Sequence, residues 1–341
     1  MLSETVAHGR KAIGRLIAVA TMLMFFMSFT AVQAAVPIGE VHPVFGEIGT
    51  NDHRLPYQLD SIIGLVCVAL ALFVAWAMNH AKPNMRVIGI GAAAITCLAV
   101  GVGIFAIDIA GYFDRLRPAL FPVDDAKPLL MRIHGAIFLV AGIALVFVTM
   151  GQARRADTLE LSKRNEAERY GLASRYYHWT IAFLFLLLVP MGIYTSMIPE
   201  DQTHRQAFYV IHKSLGFTVL FLAIARLIWI IRSPAPKLSA GLKGWEKFLA
   251  HGAHYALYFF LFAFPISGFM LSTYGGKLSH FFFWDTPLLW GPDEVAIQPW
   301  GLAHKLLLPY LFYLIFLAHI AGALKHQFID KEKDSFKRIA T

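Results

Sequence analysis

Long apolar segments separated by short polar ones run along most of this chain. Seven such segments follow residue 60, at roughly 61–79, 87–110, 133–150, 176–196, 212–231, 248–273 and 302–324. Each approaches the length of about 20 residues that a helix needs to cross the hydrocarbon core of a bilayer. The pattern therefore predicts an all-α integral membrane protein with seven spanning helices.

A further apolar segment lies near the N-terminus. It follows Arg10, Lys11 and Arg15 and ends in the small residues AVQAA around Ala34. A basic start, an apolar core and a small-residue end are typical of a cleavable signal peptide. The apolar run is also long enough for an anchor helix, so residues 1–35 are interpreted as a signal peptide or, alternatively, as an anchor.

The composition supports the membrane assignment and narrows the class of partner. Hydrophobic residues make up 57% and charged residues 15% of the 341 residues, which differs from the average soluble domain. The net charge of +8 does not indicate a nucleic-acid partner, because no basic helix with interleaved aromatic residues accompanies it. The positive residues lie in short segments between apolar runs, where membrane lipid is the expected neighbour.

The distribution of Lys and Arg predicts the orientation in the membrane. Segments 151–175 and 232–247 are rich in both residues, as is the C-terminal tail, and are expected to face the cytoplasm. Loops 197–211 and 274–301 carry one basic residue each and are expected to face the periplasm. Alternation places the mature N-terminus in the periplasm, although loop 111–132 carries four basic residues and fits this orientation imperfectly.

The polar run GQARRADTLELSKRNEAERYGLAS divides the chain. It occupies residues 151–174 and is interpreted as a cytoplasmic linker. Residues 36–150 before it hold three of the predicted spans, and residues 175–341 after it hold four. No repeat relates the two parts, so we predict a three-helix membrane unit of unknown role followed by a four-helix domain.

Fourteen histidines are present, and four of them lie at the ends of predicted spans in the second part. His178 opens its helix on the cytoplasmic side, and His212 opens the next helix on the periplasmic side. His304 and His319 share one helix and are separated by about 22 Å along its axis. Topology therefore pairs His319 with His178 and His304 with His212. Taken singly, each also fits an interfacial histidine bonded to water or a carbonyl.

Two imidazoles that face each other inside a helix bundle are what a bis-histidine haem iron requires. The two predicted pairs therefore indicate two haem b groups. Cys67 and Cys97 are the only cysteines, and neither belongs to a Cys-x-x-Cys-His motif. We accordingly expect the haems to be bound non-covalently.

Glycines and cations accompany the four histidines. Gly216 and Gly322 lie within about one turn of His212 and His319, where they would leave room for a flat macrocycle. Five cations at the same membrane levels are predicted partners of the haem propionates: Arg175, Lys213, Arg226, Lys305 and Lys325. Arg226 lies inside the apolar run FLAIARLIWII, where an unpaired charge is costly. Its alternative role is a guanidinium that reaches the cytoplasmic headgroups.

Four stretches carry a resemblance to a known family: RYYHW, HKSLGFTVLFLAIARLIWIIRSPAPKL, KFLAHGAHYALYFFLFAFPISGFMLS and AHKLLLPYLFYLIFLAHIAGALKHQFID. Together they resemble the bacterial cytochrome b561 family of four-helix, di-haem membrane proteins over about residues 172–338. In that family the first, second and fourth helices supply the iron ligands. By motif, these positions fall on His178, His212, His304 and His319.

The resemblance implies a function and a location. Members of this family pass electrons between the quinone pool, with ubiquinone as the expected substrate, and a periplasmic or small-molecule partner that in one case is superoxide. If the protein is an enzyme, it is an oxidoreductase acting with quinone in the bacterial inner membrane. The alternatives are a haem-bearing anchor subunit of a dehydrogenase or hydrogenase complex, and a non-redox transporter with buried histidines. A transporter would be expected to show broken helices and inverted repeats, which the sequence lacks.

The chain departs from the family in its last helix and at its N-terminus. The interval from His304 to His319 is one residue longer than the family pattern and contains Pro309, which predicts a kink or bulge there. The N-terminal unit has no counterpart in short family members. Within it we expect a hydrogen bond between Asp108 and His134 that holds two helices together, with a functional intramembrane acid as the alternative.

Two further histidines, His251 and His254, lie three residues apart on one face at the cytoplasmic start of the third family helix. The family motif does not make them iron ligands. A role in binding propionates or carrying protons to a quinone is the alternative to a purely structural one.

Overall fold

The computed structural model describes residues 41–42, 46–47, 54–109, 127–153, 162–197, 204–238, 241–326 and 337–340. In these ranges seven helices are long and apolar enough to cross a membrane. They are α1 Arg54–Met78, α2 Pro83–Ile109, α3 Lys127–Ala153, α4 Leu172–Met197, α5 His204–Arg232, α6 Gly244–Tyr274 and α7 Ile297–Leu324. The prediction of an all-α membrane protein with seven spans is thus confirmed. The predicted signal or anchor segment, residues 1–35, lies outside the described residues.

Several helices begin earlier than the apolar runs that predicted them. The fifth begins at His204 and the sixth at Gly244, whereas their apolar runs begin at 212 and 248. The added residues include charged ones such as Arg205 and Lys247, because the ends of a spanning helix leave the hydrocarbon core and enter the headgroup layer. Apolar runs therefore identify the membrane-embedded part of each helix and underestimate its length.

Short elements complete the described structure. Two antiparallel pairs are formed by β1 Val41–His42 with β2 Gly46–Glu47, and by β3 Ser279–Phe281 with β4 Trp284–Thr286. The second pair is a hairpin in the loop between α6 and α7. A short helix, α8 Lys337–Ala340, follows the last span.

The three-helix unit and the four-helix bundle share one hydrophobic core. Consecutive helices of the bundle pack against each other, and α1 lies against both α4 and α5. The core includes Ala71 of α1, Ile104 of α2 and Met131 of α3 together with buried residues of all four bundle helices. The pair formed by α2 and α3 packs along its length. The N-terminal unit is therefore built into the side of the bundle.

The short helix α8 closes one end of the bundle against α4. The carbonyl of Arg338 accepts hydrogen bonds from the Tyr170 N–H (3.1 Å) and the Arg175 guanidinium (3.1 Å). The indole N–H of Trp179, the residue after His178, donates to the carbonyl of Ile339 at 3.1 Å. These bonds tie two segments that are far apart in the sequence.

Candidate haem-binding site

His212 of α5 and His304 of α7 face each other near one end of the bundle. Their ring centres are 6.2 Å apart and their planes are nearly perpendicular, at 86°. Two imidazoles that bind one metal ion from opposite sides, with metal–nitrogen bonds of about 2.0 Å, have ring centres about 6 Å apart. The pair therefore fits a bis-histidine iron.

A hydrogen bond orients the imidazole of His304 for ligation. Its Nδ1 lies 3.0 Å from the hydroxyl of Ser267. That hydroxyl has a single proton, and the carbonyls of Ala263 at 2.6 Å and Phe264 at 3.1 Å can only accept it. With the proton on the shorter of these bonds, Nδ1 of His304 is the donor. The lone pair is then on Nε2. Such a partner, which fixes the tautomer of a metal-binding histidine, is a common feature of metal sites.

Two glycines that the sequence analysis did not identify lie directly against these imidazoles. A Cβ atom added to Gly192 of α4 would be 2.8 Å from Cε1 of His212. One added to Gly268 of α6 would be 2.7 Å from Cε1 of His304. Both contacts are shorter than real Cβ atoms tolerate, so the missing side chains make room for the rings. A glycine inside an apolar helix was the available signal.

A Cβ built at Gly216 or Gly322 would have no atom of another element within 4 Å. The role of these two glycines beside a macrocycle stays a prediction. An open pocket of about 570 Å³ lies mainly between α6 and α7, and its wall includes Ser267 and Ala303, the neighbours of His304. Its size is within the range of small-molecule and cofactor sites, but none of the four histidines lines it.

The predicted irregularity in the last helix is confirmed as a π-helical turn at Ala303–Leu307, which contains His304. Such a turn inserts one residue into an α-helix and occurs frequently at functional sites. Pro309 follows two residues later and has no N–H to donate to the preceding turn. The extra residue between His304 and His319 is therefore absorbed locally.

Near the other end of the bundle, three histidines and an arginine form a cluster. His178 of α4 lies within electrostatic reach of His254, His319 and Arg226. The rings of His254 and His319 are edge to face, with centres 5.3 Å apart. The structure thus brings the predicted pair His178 and His319 together and adds His254, for which the sequence analysis expected no ligand role.

The guanidinium of Arg226 lies 5.0 Å from the ring centre of Tyr258 on α6. This cation–π contact and its proximity to the histidine cluster favour a role inside the bundle over the alternative at the headgroups.

Three of the cations predicted to bind propionates also contact protein groups. Lys213 donates to the carbonyl of Leu278 at 2.8 Å, and Lys325 forms an ion pair with Glu246 at 2.7 Å. Arg175 donates to the carbonyl of Tyr170 at 2.9 Å as well as to Arg338. Lys305 follows His304 in the π-helical turn and is exposed. The assignment of these cations to propionates, like that of the four iron ligands, stays a prediction.

The predicted hydrogen bond between Asp108 and His134 is wrong. Both carboxylate oxygens of Asp108 accept from the guanidinium of Arg132, at 2.7 and 2.8 Å. His134 bonds instead to Tyr313 and to the carbonyl of Leu186. Residues two apart on a helix point to nearly opposite faces, so the exposed Arg132 binds the partly exposed carboxylate while His134 points into the bundle.

The β3–β4 hairpin is fixed beside His212 by serine side chains. Ser214 of α5 accepts the N–H of Phe282 at 2.8 Å and donates to the carbonyl of His280 at 3.2 Å. Ser61 of α1 donates to the carbonyl of Phe282 at 2.9 Å. Phe282 has a φ of 55°, which is unusual for a bulky residue and is held here from both sides. His280 is buried and pairs with Asp285.

Residues 169–341 match the family described as prokaryotic cytochrome b561. The chain belongs to this family. It is 31% identical over 180 residues to cytochrome b561 homolog 2 of Escherichia coli (strain K12), an alignment that covers 52% of this chain and 95% of the relative. Membership of the family, together with the seven apolar helices, makes the protein a multi-pass membrane b-type cytochrome that binds haem and transfers electrons. The N-terminal unit lies outside the matched range.

Proposed function

We propose that this cytochrome carries electrons across the bacterial inner membrane through two haem b groups. His212 and His304 bind one haem on the periplasmic side, and His178 and His319 bind the other on the cytoplasmic side. When bound, haem iron supplies the one-electron chemistry, and the protein sets its environment and position. The facing pair of His212 and His304, 6.2 Å apart, is the observation on which this proposal rests.

Aromatic side chains between the two histidine levels support a pair of connected centres. Phe264 lies 5.9 Å from His304 and 6.1 Å from Phe312, measured between ring centres. Phe312 stacks on Phe316 at 5.1 Å, and Phe316 lies three residues before His319. The interior between the haems is therefore apolar and closely packed, which excludes water from the space that an electron would cross.

The proposed partners are the quinone pool, with ubiquinone as the substrate, and a periplasmic or small-molecule redox partner such as superoxide. Membership of the cytochrome b561 family supports a quinone partner, because the resemblance to this family implies electron exchange with the quinone pool. The basic segments 162–175 and 232–247 support a cytoplasmic position for the ends of α4 and α6, and hence a cytoplasmic C-terminus. Continuous spanning helices in the described residues, apart from one π-helical turn, count against the transporter alternative.

The spectrum of the purified protein tests the cofactor content. We expect a red protein with a reduced b-type spectrum, two haems per chain by pyridine haemochrome assay, and complete extraction of haem by acid acetone. A protein that stays colourless after expression with ample haem would contradict the proposal.

The quinone partner is tested separately by mixing the oxidised protein in lipid nanodiscs with a short-chain ubiquinol. Reduction of the haems, followed by absorbance, is expected. A haem-loaded protein that no quinol reduces, and whose reduced form no quinone oxidises, would rule out the quinone pool as its partner. Superoxide added to the oxidised protein then tests the small-molecule partner in the same way.

A further inference from the structure

His134 is a buried polar residue through which the N-terminal unit contacts the bundle. It lies on α3 and is fully buried, with 0% of its surface exposed. Its Nδ1 is 2.7 Å from the hydroxyl of Tyr313 on α7, and its Nε2 is 3.0 Å from the carbonyl of Leu186 on α4. One side chain from outside the family-matched range thus joins two bundle helices.

The carbonyl of Leu186 needs a donor because of the residue four positions later. In an α-helix that carbonyl would accept the N–H of residue 190, which is a proline and has none. An unsatisfied backbone carbonyl is strongly destabilising in a membrane interior, because no water is present there to donate a hydrogen bond. The Nε2–H of His134 supplies the missing hydrogen bond.

This bond also determines how His134 binds Tyr313. The carbonyl oxygen can only accept, so the imidazole proton is on Nε2 and Nδ1 carries the lone pair. Tyr313 is buried, with 5% of its surface exposed. Its hydroxyl therefore donates to Nδ1. Neutral His134 satisfies both groups at once, whereas a residue with only a donor or only an acceptor would leave one of them unpaired.

Both contacts lie on the helices that carry the proposed cytoplasmic ligands. Leu186 follows His178 by eight residues, about 12 Å along α4, and Tyr313 precedes His319 by six residues, about 9 Å along α7. The position of one helix relative to the other determines how the two imidazoles meet an iron between them. His134 holds that relative position from a third helix.

We propose that the N-terminal unit sets the geometry of the cytoplasmic haem site, with His134 as its positioning residue. The inference rests on the proposed assignment of His178 and His319 as ligands. It gives the three-helix unit a role in the electron-transfer chemistry of the bundle, beyond adding buried surface.

The test compares variants of the full-length, haem-loaded protein. His134→Phe keeps an aromatic ring and removes both hydrogen bonds. We expect it to shift the midpoint potential and the low-spin ferric EPR signal of the cytoplasmic haem, since that signal depends on the relative orientation of the axial imidazoles. The periplasmic haem should keep its wild-type values. His80→Phe, the same substitution in the loop between α1 and α2, is the matched control and should change neither haem.

A second substitution separates positioning from general loss of packing. Pro190→Ala restores an N–H for the carbonyl of Leu186, so His134→Phe combined with Pro190→Ala should return part of the way to the wild-type EPR signal. If His134→Phe does not yield folded protein, Tyr313→Phe removes only the contact with α7 and should shift the same signal by less.

Three results would overturn the proposal. One is a His134→Phe protein with a lower Tm and two unchanged haem signals, and another is an equal change in both haems. The third is an unchanged signal in Tyr313→Phe when His134→Phe cannot be prepared. Wild-type protein with two bis-histidine signals is measured first, so a failure of the ligand assignment is distinguished from a failure of this inference.

Discussion

The two histidine clusters solve the problem of presenting imidazoles inside a membrane in different ways. The cluster on the proposed periplasmic side, the periplasmic cluster, consists of His212 and His304, backed by Gly192 and Gly268 where the rings come closest to neighbouring helices. The cluster on the proposed cytoplasmic side, the cytoplasmic cluster, contains three histidines and Arg226. In the first cluster, close contacts with Gly192 and Gly268 restrict the positions of the two imidazole rings. In the second, the number of nitrogens exceeds what one iron needs, so position must be selected by the surrounding helices.

Substitution of single ligands has the largest expected effect on this comparison. His178→Ala should halve the haem content by losing the cytoplasmic haem, while His212→Ala should lose the periplasmic one, because about 22 Å of helix separates the two levels. Pyridine haemochrome assay and redox titration identify the haem that remains. Retention of both haems with unchanged midpoint potentials in His178→Ala would show that this histidine is not a ligand.

The glycines that back the periplasmic pair come next. Gly268→Ala and Gly192→Ala should lower the occupancy of the periplasmic haem only, because a Cβ at 2.7 or 2.8 Å displaces the imidazole. The effect opposes helix propensity, which favours alanine over glycine by about 1 kcal/mol. Gly252→Ala, where no atom lies within 4 Å of the new Cβ, is the control. Full occupancy in both site variants would mean that the rings have more freedom than the contacts suggest.

Substitution of His254 tests whether the third histidine of the cytoplasmic cluster is a ligand. His254→Ala should keep both haems and shift only the cytoplasmic midpoint potential, because the ring lies 5.3 Å from His319 without being one of the proposed ligands. The measurement is a redox titration of both centres beside a haem assay. Loss of the cytoplasmic haem in this variant, with its retention in His178→Ala, would exchange the roles of the two histidines.

The smallest effect is expected at Asp108, whose carboxylate bonds to Arg132 and not to a residue of either cluster. The hydrogen bond from Arg132 holds the pKa of Asp108 below its ordinary value. The resulting stability is present above the ordinary pKa of about 3.9 and is lost as the pH falls through the lowered one.

Because this pair is exposed, Asp108→Asn should change the free energy of unfolding by less than about 1 kcal/mol at neutral pH. Thermal unfolding measured at neutral pH and at about pH 3 should show the difference shrinking in acid. The haem spectra of this variant should match those of the wild type, and a change in either would show that the ion pair acts on a cluster.

The difference between the clusters also explains what the sequence could predict. Apolar runs and charged loops predicted the seven spans, and motifs together with topology brought His178 near His319 and His212 near His304. The spacing on α7 even predicted its bulge. Contacts between particular side chains of different helices could not be predicted: the partners of His134 and the proximity of His254 to His319 depend on the rotation of each helix about its axis. Helices that are apolar on all sides carry no stripe that reveals this rotation.

The contact between α8 and Trp179 has a consequence for the order in which the protein is assembled. Ile339 and Trp179 are separated by 160 residues, so during synthesis α4 is made long before its partner α8. This contact can form only after the intervening helices have been synthesised. The end of α4 beside His178 therefore gains its contacts with α8 last.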